Sequence, residues 1–298
     1  MPAIPTMRTI AFVSDIHGNL PALQAVAADI ARQGAQVVVN LGDAFSGPLL
    51  AAETARWLIH DAQQATATPW LHIAGNHERQ LLAVADRRAS PALTDPADSN
   101  PTDSDHLAAQ QMDDALLAWI RHLPAPTRPD LLTGSWRADL LGPEVGLCHG
   151  SPRSDVEYLL DTPEGELIRP ASVSELDERL AGRIPSSITL LACGHSHLPR
   201  SLTLPRAGAT ALQLLNPGSV GLPAYDDDTP YPASRYHRVE NGSPDARYAL
   251  ATQAAPRQPW TLACRSVPYD AEPMARLAEQ RGCPDWAHAL RTGRMPRP

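Results

Sequence analysis

The 298-residue chain carries a formal net charge of −8, and all 25 of its basic residues are arginine; the acidic balance argues against a general nucleic-acid binder, and a lysine nucleophile or Schiff base is excluded. A chain of this length can bury a sizeable core without disulfides, and Cys148, Cys193, Cys264 and Cys283 show no CxxC spacing, so neither a disulfide framework nor a structural zinc site is indicated. No run reaches transmembrane length and the first eight residues lack an apolar signal core, so the expectation is a cytoplasmic protein with reduced thiols and no membrane partner.

The first apolar run, residues 10–13, is short and aliphatic, as a buried strand should be, and leads into Asp15-Ile16-His17-Gly18-Asn19. Residues 20–32 then place Leu23, Val26, Ala27 and Ile30 on one helical face. A second strand, 37–41, is followed by Gly42-Asp43 and a helix over 51–59. A third, 70–74, is followed by Gly75-Asn76-His77-Glu78 and a helix over 79–88. The stretch 90–104 is rich in Pro, Ser, Asp and Thr and reads as a loop; with a helix over 105–122 it forms a long excursion, 79–142. Strand 145–148 runs into His149-Gly150, and a helix is expected over 174–181. Strand 188–193 runs into Gly194-His195-Ser196-His197, and strand 212–215 into Asn216-Pro217-Gly218-Ser219. An irregular stretch, 223–244, precedes two further strands, 246–252 and 261–267, and an Arg-bearing helical end. Strands that alternate with helices early and follow one another quickly late predict two stacked mixed sheets with helices outside, a four-layer αββα sandwich. No strong boundary divides the chain, so one domain over 1–298 is expected.

Leaving aside the sixth loop with its Asn216, the other five strand-end loops all carry Asp, Asn or His, and carboxyl ends of strands form the usual crevice in α/β sheets. Each loop has an ordinary explanation alone. Asp15 and Asp43 could be helix N-caps, and Gly75-Asn76 and Asn216-Pro217-Gly218 could be plain turns. Five such loops in one chain point instead to a metal site. In an extended loop Asp15 and His17 would point the same way and grip one ion; His195 and His197 would do likewise or divide between two.

The ordered set Asp15-x-His17, Gly42-Asp43, Gly75-Asn76-His77-Glu78, His149-Gly150 and Gly194-His195-x-His197 resembles the calcineurin-like metallophosphoesterase superfamily from about residue 10 to 219, with every core motif position present. The resemblance implies that Asp15, His17, Asp43 and His197 hold one divalent ion, and that Asp43, Asn76, His149 and His195 hold a second, with Asp43 as the bridge. It makes His77 a proton donor facing the substrate rather than a ligand. The loop after Asp43 reads Ala44-Phe45-Ser46-Gly47-Pro48 and lacks the arginine that some branches place there, which turns the resemblance away from the Ser/Thr protein phosphatases and toward bacterial small-molecule phosphatases and phosphodiesterases. Arg79, Arg153 and Arg200 each follow a motif loop closely and are candidates to contact phosphate. Two ions lower the pKa of a bridging water and neutralise phosphate charge, so the expected reaction is in-line attack by a bridging hydroxide on a small monoester, diester or dinucleoside polyphosphate. Manganese is the first metal expected; Fe, Zn, Co and Ni also suit these ligands. The rival readings are a metal-bearing scaffold, against which the intact ligand set argues, and a nuclease, against which the acidic balance argues. A homo-oligomer is left open.

Overall fold

The computed structural model describes residues 7–89, 102–180, 182–227 and 236–297. Of the expected stretches, residues 90–101 of the loop 90–104, residues 228–235 of the stretch 223–244, and Ala181 lie outside the described residues.

In chain order the elements open with β1 (Arg8–Val13), α1 (Leu20–Gln33), β2 (Val37–Asn40), α2 (Ala51–His60), α3 (Ala62–Thr66) and β3 (Trp70–His72). The excursion holds α4 (Asn76–Ala89), α5 (Asp103–Ala109), α6 (Asp114–Arg121), α7 (Pro129–Leu132) and α8 (Ala138–Leu141). Next come β4 (Val145–Leu147), β5 (Asp161–Glu164), β6 (Leu167–Pro170), α9 (Val173–Leu180), β7 (Leu190–Ala192), β8 (Pro199–Leu204) and β9 (Leu212–Pro217). The chain closes with β10 (Ala224–Asp227), β11 (His237–Glu240), β12 (Ala246–Gln253), β13 (Thr261–Val267), α10 (Glu272–Gln280) and α11 (Pro284–Thr292).

Two main sheets result. One has the order β13-β12-β1-β2-β3, with β1, β2 and β3 parallel, β12 antiparallel to β1, and β13 antiparallel to β12. The other has the order β4-β7-β9-β8, with only β8 antiparallel. Period-two alternation divides each strand between two cores. Ile10, Phe12, Val37 and Val39 of the first sheet meet Val145, Leu147, Leu190 and Leu215 of the second in the core between them. Ala11, Val13 and Val38 face outward, onto α1, α2 and the excursion helices. Leu191, Leu212 and Leu214 face the opposite way, onto α9 and its flanking loops. This is the expected sandwich of mixed sheets flanked by helices.

All six expected strands with motif loops form, as do the two late ones. Helix α1 begins where Asn19 accepts a hydrogen bond from the Ala22 amide and ends at Gly34 in the left-handed region. The helix expected over 105–122 is instead two, because Asp113 accepts from the Leu116 amide and starts α6 afresh. Strand β8 was not expected: it opens on Pro199, which an edge strand tolerates. Among the described residues no helix is long and apolar enough to cross a membrane.

Candidate metal centre

The parallel strands of both sheets deliver their carboxyl ends to one place. Asp15 and His17 follow β1, Asp43 follows β2, Asn76 opens α4 just after β3, His149 follows β4, and His195 and His197 lie between β7 and β8. The backbone there is not extended as expected. Asp15, His17, Asp43, His195 and His197 all have positive φ, between 51° and 69°. Asp and His tolerate that region better than most side chains, and neighbouring loops fix them in it. The Asp15 amide donates to Gly42 O at 3.0 Å and the His17 amide to Asp43 O at 3.1 Å.

Two groups of donor atoms gather: Asp15, His17 and His197 in one, Asp43, His149 and His195 in the other, each within 4.8 Å of one another. The two histidines of the last loop therefore divide between the groups. Imidazole tautomers are set from behind. His149 Nδ1 donates to Leu41 O at 2.9 Å, His197 Nδ1 to Leu222 O at 2.8 Å, and His17 Nδ1 faces Ser46 O at 3.2 Å and Ser46 Oγ at 2.8 Å. Each Nε2 is thus turned inward. Inside, acceptor meets acceptor where His17 Nε2 lies 3.1 Å from His197 Nε2, while His149 Nε2 lies 3.1 Å from Asn76 Oδ1 and 3.0 Å from Asp43 Oδ2, a place that a proton or an ion can fill. Asn76 turns its amide nitrogen away to Gln80 Oε1, which leaves the oxygen inward. Asp15 Oδ1 is buried with no hydrogen bond and sits 3.4 Å from His197 Nε2. A buried carboxylate oxygen with no hydrogen bond, beside two imidazole nitrogens that face each other, is what a divalent cation satisfies, so the residues fit the ions that the motifs imply.

The electrostatics agree. Burial, then His197, depress His17 to about 3; burial, then His149, depress His195 to about 4. Both are neutral, as a metal ligand must be. Burial also disfavours charge on His149, but Asp43 and Asp15 outweigh it and hold that imidazole at about 9, so an ion must displace a proton there. Burial pushes Asp43 up, yet His149, His77 and His17 hold it well below the usual carboxylate range. Its charge acts on members of both groups.

His77 lies on the cavity wall. Its Nδ1 is 2.8 Å from Asp105 Oδ1 and its amide donates to Asp43 Oδ1 at 2.9 Å. Burial disfavours its charge, but Asp105 and Asp43 outweigh that and push it up to about 10. Motif reading missed two residues here. Asp105 comes from α5, 28 positions along the chain, and no spacing rule connects it to His77. Glu78 was inside a motif but carried no role. Its buried carboxylate takes the amides of Asp43, Ala44 and Gly75, at 2.8, 2.8 and 2.6 Å. A carboxylate three residues after a glycine at a helix start is the signal that could have found it. Position 75 must be glycine because a Cβ there would strike the Asp43 carboxylate.

The three arginines are placed elsewhere. Arg79 forms a two-point contact with Asp155, both bonds 3.0 Å; Arg153 binds Glu157 and Glu178; Arg200 pairs with Asp161. None is among the residues that line the cavity.

Residues 8–218 match the sequence profile of the calcineurin-like phosphoesterases. The chain belongs to that family. A metallophosphoesterase from Sphaerobacter thermophilus has the same fold, with a TM-score of 0.61 at 19% identity over 96% of this chain and 99% of that one. A dimetal phosphatase from Danio rerio is similar at a TM-score of 0.45 and 12% identity, over 89% of this chain and 100% of that one. Curated protein sequences gave no match. For a calcineurin-like phosphoesterase, two candidate ion sites support metal-dependent hydrolysis of phosphate esters as the general activity.

Proposed function

We propose that this phosphoesterase hydrolyses a small phosphate mono- or diester at a dinuclear centre, with Asp15, His17 and His197 holding one ion, Asn76, His149 and His195 the other, and Asp43 both. The observation that carries the reading is the convergence of buried acceptors from both sheets on the floor of one cavity of about 620 Å³. When bound, the two ions supply an activated water and positive charge opposite the phosphate oxygens. Leu41 O, Ser46 and Leu222 O keep the ligand imidazoles turned inward. Glu78 fixes the loops that carry Asp43 and Asn76. His77, held cationic by Asp105, faces the cavity as the acid. The attacking water gives up a proton to solvent and its oxygen bonds to phosphorus, the ester P–O bond breaks with its electron pair on the leaving oxygen, and His77 gives that oxygen its proton.

No arginine is assigned to the phosphate, since Arg79, Arg153 and Arg200 are engaged by carboxylates away from the cavity lining. The excursion 79–142 contributes Thr102 and Ser104 to the wall, which supports a role for it in choosing the ester. Manganese is the first ion to test. Protein loaded with manganese should turn over 4-nitrophenyl phosphate or bis(4-nitrophenyl) phosphate and lose that turnover to a chelator. A protein that takes up two ions yet hydrolyses no mono- or diester would overturn the proposal.

A further inference from the structure

The cavity over the metal centre is not uniform. Its floor carries His17, Asp43, Asn76, His195 and His197, with His77 on the wall beside them. Much of its wall comes from residues after 218, beyond the family match: Tyr225, Asp226 and Asp227 from β10, Tyr236, and Asp285 and Trp286 from α11. Among the described residues no arginine lines it, and the chain has no lysine.

The aromatic members are held hard against the ligands. The Trp286 ring stands edge-on to His17 with centroids 5.9 Å apart, and it fills the space where a Cβ at Gly47 would lie. The Tyr225 ring is 4.5 Å from that of His197, and its hydroxyl donates to His195 O at 3.1 Å while meeting Tyr158 Oη at 2.7 Å. Asp226 and Asp285 are exposed and so stand at the rim. One end of the cavity thus attracts anions once ions are bound, because two divalent charges exceed what Asp15 and Asp43 cancel. Directly beside that end stand the rings of Trp286 and Tyr225, and further out the exposed carboxylates of Asp226 and Asp285.

Resting on the hydrolase reading above, we infer that the organic group of the substrate ester is cationic: an alkylammonium seated against Trp286 and Tyr225, with Asp226, Asp227 and Asp285 around it. Phosphate binds at the floor and the cation a few ångströms further out. Quaternary and protonated amines are favoured over aromatic faces, and nearby carboxylates add to the attraction. The same wall disfavours a second anionic group, so polyphosphates and phosphorylated acids are poor substrates.

The test uses three esters of similar size: the choline ester, its neutral carbon isostere the 3,3-dimethylbutyl ester, and the 3-carboxypropyl ester. Each is offered both as the monoester and as the 4-nitrophenyl diester, to the manganese-loaded full chain. In whichever series is hydrolysed, kcat/KM should fall about tenfold from choline to dimethylbutyl and at least as much again to carboxypropyl. Asp285→Asn and Asp226→Asn should each shrink the choline-to-dimethylbutyl ratio, and Trp286→Ala should raise KM for choline more than it lowers kcat. Because the readout is a ratio within one preparation, partial loss of folded variant does not disturb it. Equal kcat/KM for the choline and dimethylbutyl esters in the wild type, or a preference for the carboxylate, overturns the inference while 4-nitrophenyl phosphate turnover leaves the hydrolase reading standing. No turnover of any ester, 4-nitrophenyl phosphate included, overturns both.

Discussion

Five of the proposed ligand positions share one backbone peculiarity. Asp15, His17, Asp43, His195 and His197 all occupy the left-handed region, at a cost on the order of 1–3 kcal/mol each for a non-glycine residue. Such strain persists only when the surroundings determine it, and here the loops brace one another through amide-to-carbonyl bonds and through Glu78. The residues of the two candidate groups were legible in the sequence because Asp and His stood directly after apolar strands. Glu78 and Asp105 were not, since one acts through backbone amides and the other reaches His77 only in three dimensions. Asp43 is the one side chain proposed for both ions. Asp43→Asn should therefore lower bound metal well below two per chain and cut kcat by at least about a hundredfold; elemental analysis beside a turnover assay checks this, and near-normal activity would remove the bridge. His77→Gln should separate from that pattern. Both ions should stay, with a small defect on nitrophenyl esters, whose leaving group needs little help, and a loss of roughly a hundredfold or more on alkyl esters. Equal loss on both ester types together with lost metal would make His77 a brace for Asn76 and not the acid.

Helix starts tie these residues to their elements. Asn76 and His77 were expected in a loop, with a helix from residue 79, yet α4 begins at Asn76. The early start is possible because amides that a helix N-terminus leaves unsatisfied find partners in Glu78 and Asp43. Helix α5 begins with a capping box in which Asp105 Oδ2 takes the Thr102 amide and hydroxyl at 2.8 Å each. Its other oxygen holds His77. One carboxylate thus starts a helix of the excursion and orients the proposed acid. The strands missed by pattern have physical reasons as well: β5 and β6 form a hairpin around Gly165 with Pro163 and Pro170 in it, and β8 opens on proline. Asp105→Asn keeps an oxygen for the cap but loses the charge that stabilises protonated His77. Its kcat on alkyl esters should fall about tenfold to a hundredfold with two ions retained. Asp105→Ala should add a stability loss on the order of 1 kcal/mol, as for a lost cap. If Asp105→Asn keeps wild-type kcat on alkyl esters, the pairing serves only the helix.

At the scale of the molecule the centre lies across the seam between the sheets. Asp15, His17, Asp43 and Asn76 follow strands of the first sheet, whereas His149, His195 and His197 follow strands of the second. Each proposed ion draws ligands from both, because His197 joins Asp15 and His17 while His149 and His195 join Asp43. Bound ions would therefore clamp the sandwich at its ligand end, where the interior is polar and carries the buried carboxylates of Asp15 and Asp43. Removing the ions leaves those charges facing one another, offset by the protonated imidazoles of His149 and His77. Metal should then stabilise the fold as a ligand does, by about 2.7 kcal/mol for each site at a concentration a hundredfold above its Kd. Two sites give about 5 kcal/mol, and for a chain of this size Tm should rise by roughly 10 °C. The gain should grow with pH up to about 9, since the ion competes with a proton on His149 below that value and with none above it. Scanning calorimetry of chelator-treated and manganese-loaded protein at pH 6.5, 7.5 and 8.5 reads this directly, with elemental analysis confirming two ions in the loaded sample. A loaded sample with two ions and an unchanged Tm would mean that the ions do not span the sheets, and the assignment of His149 and His195 to the same ion as Asp43 would fall with it.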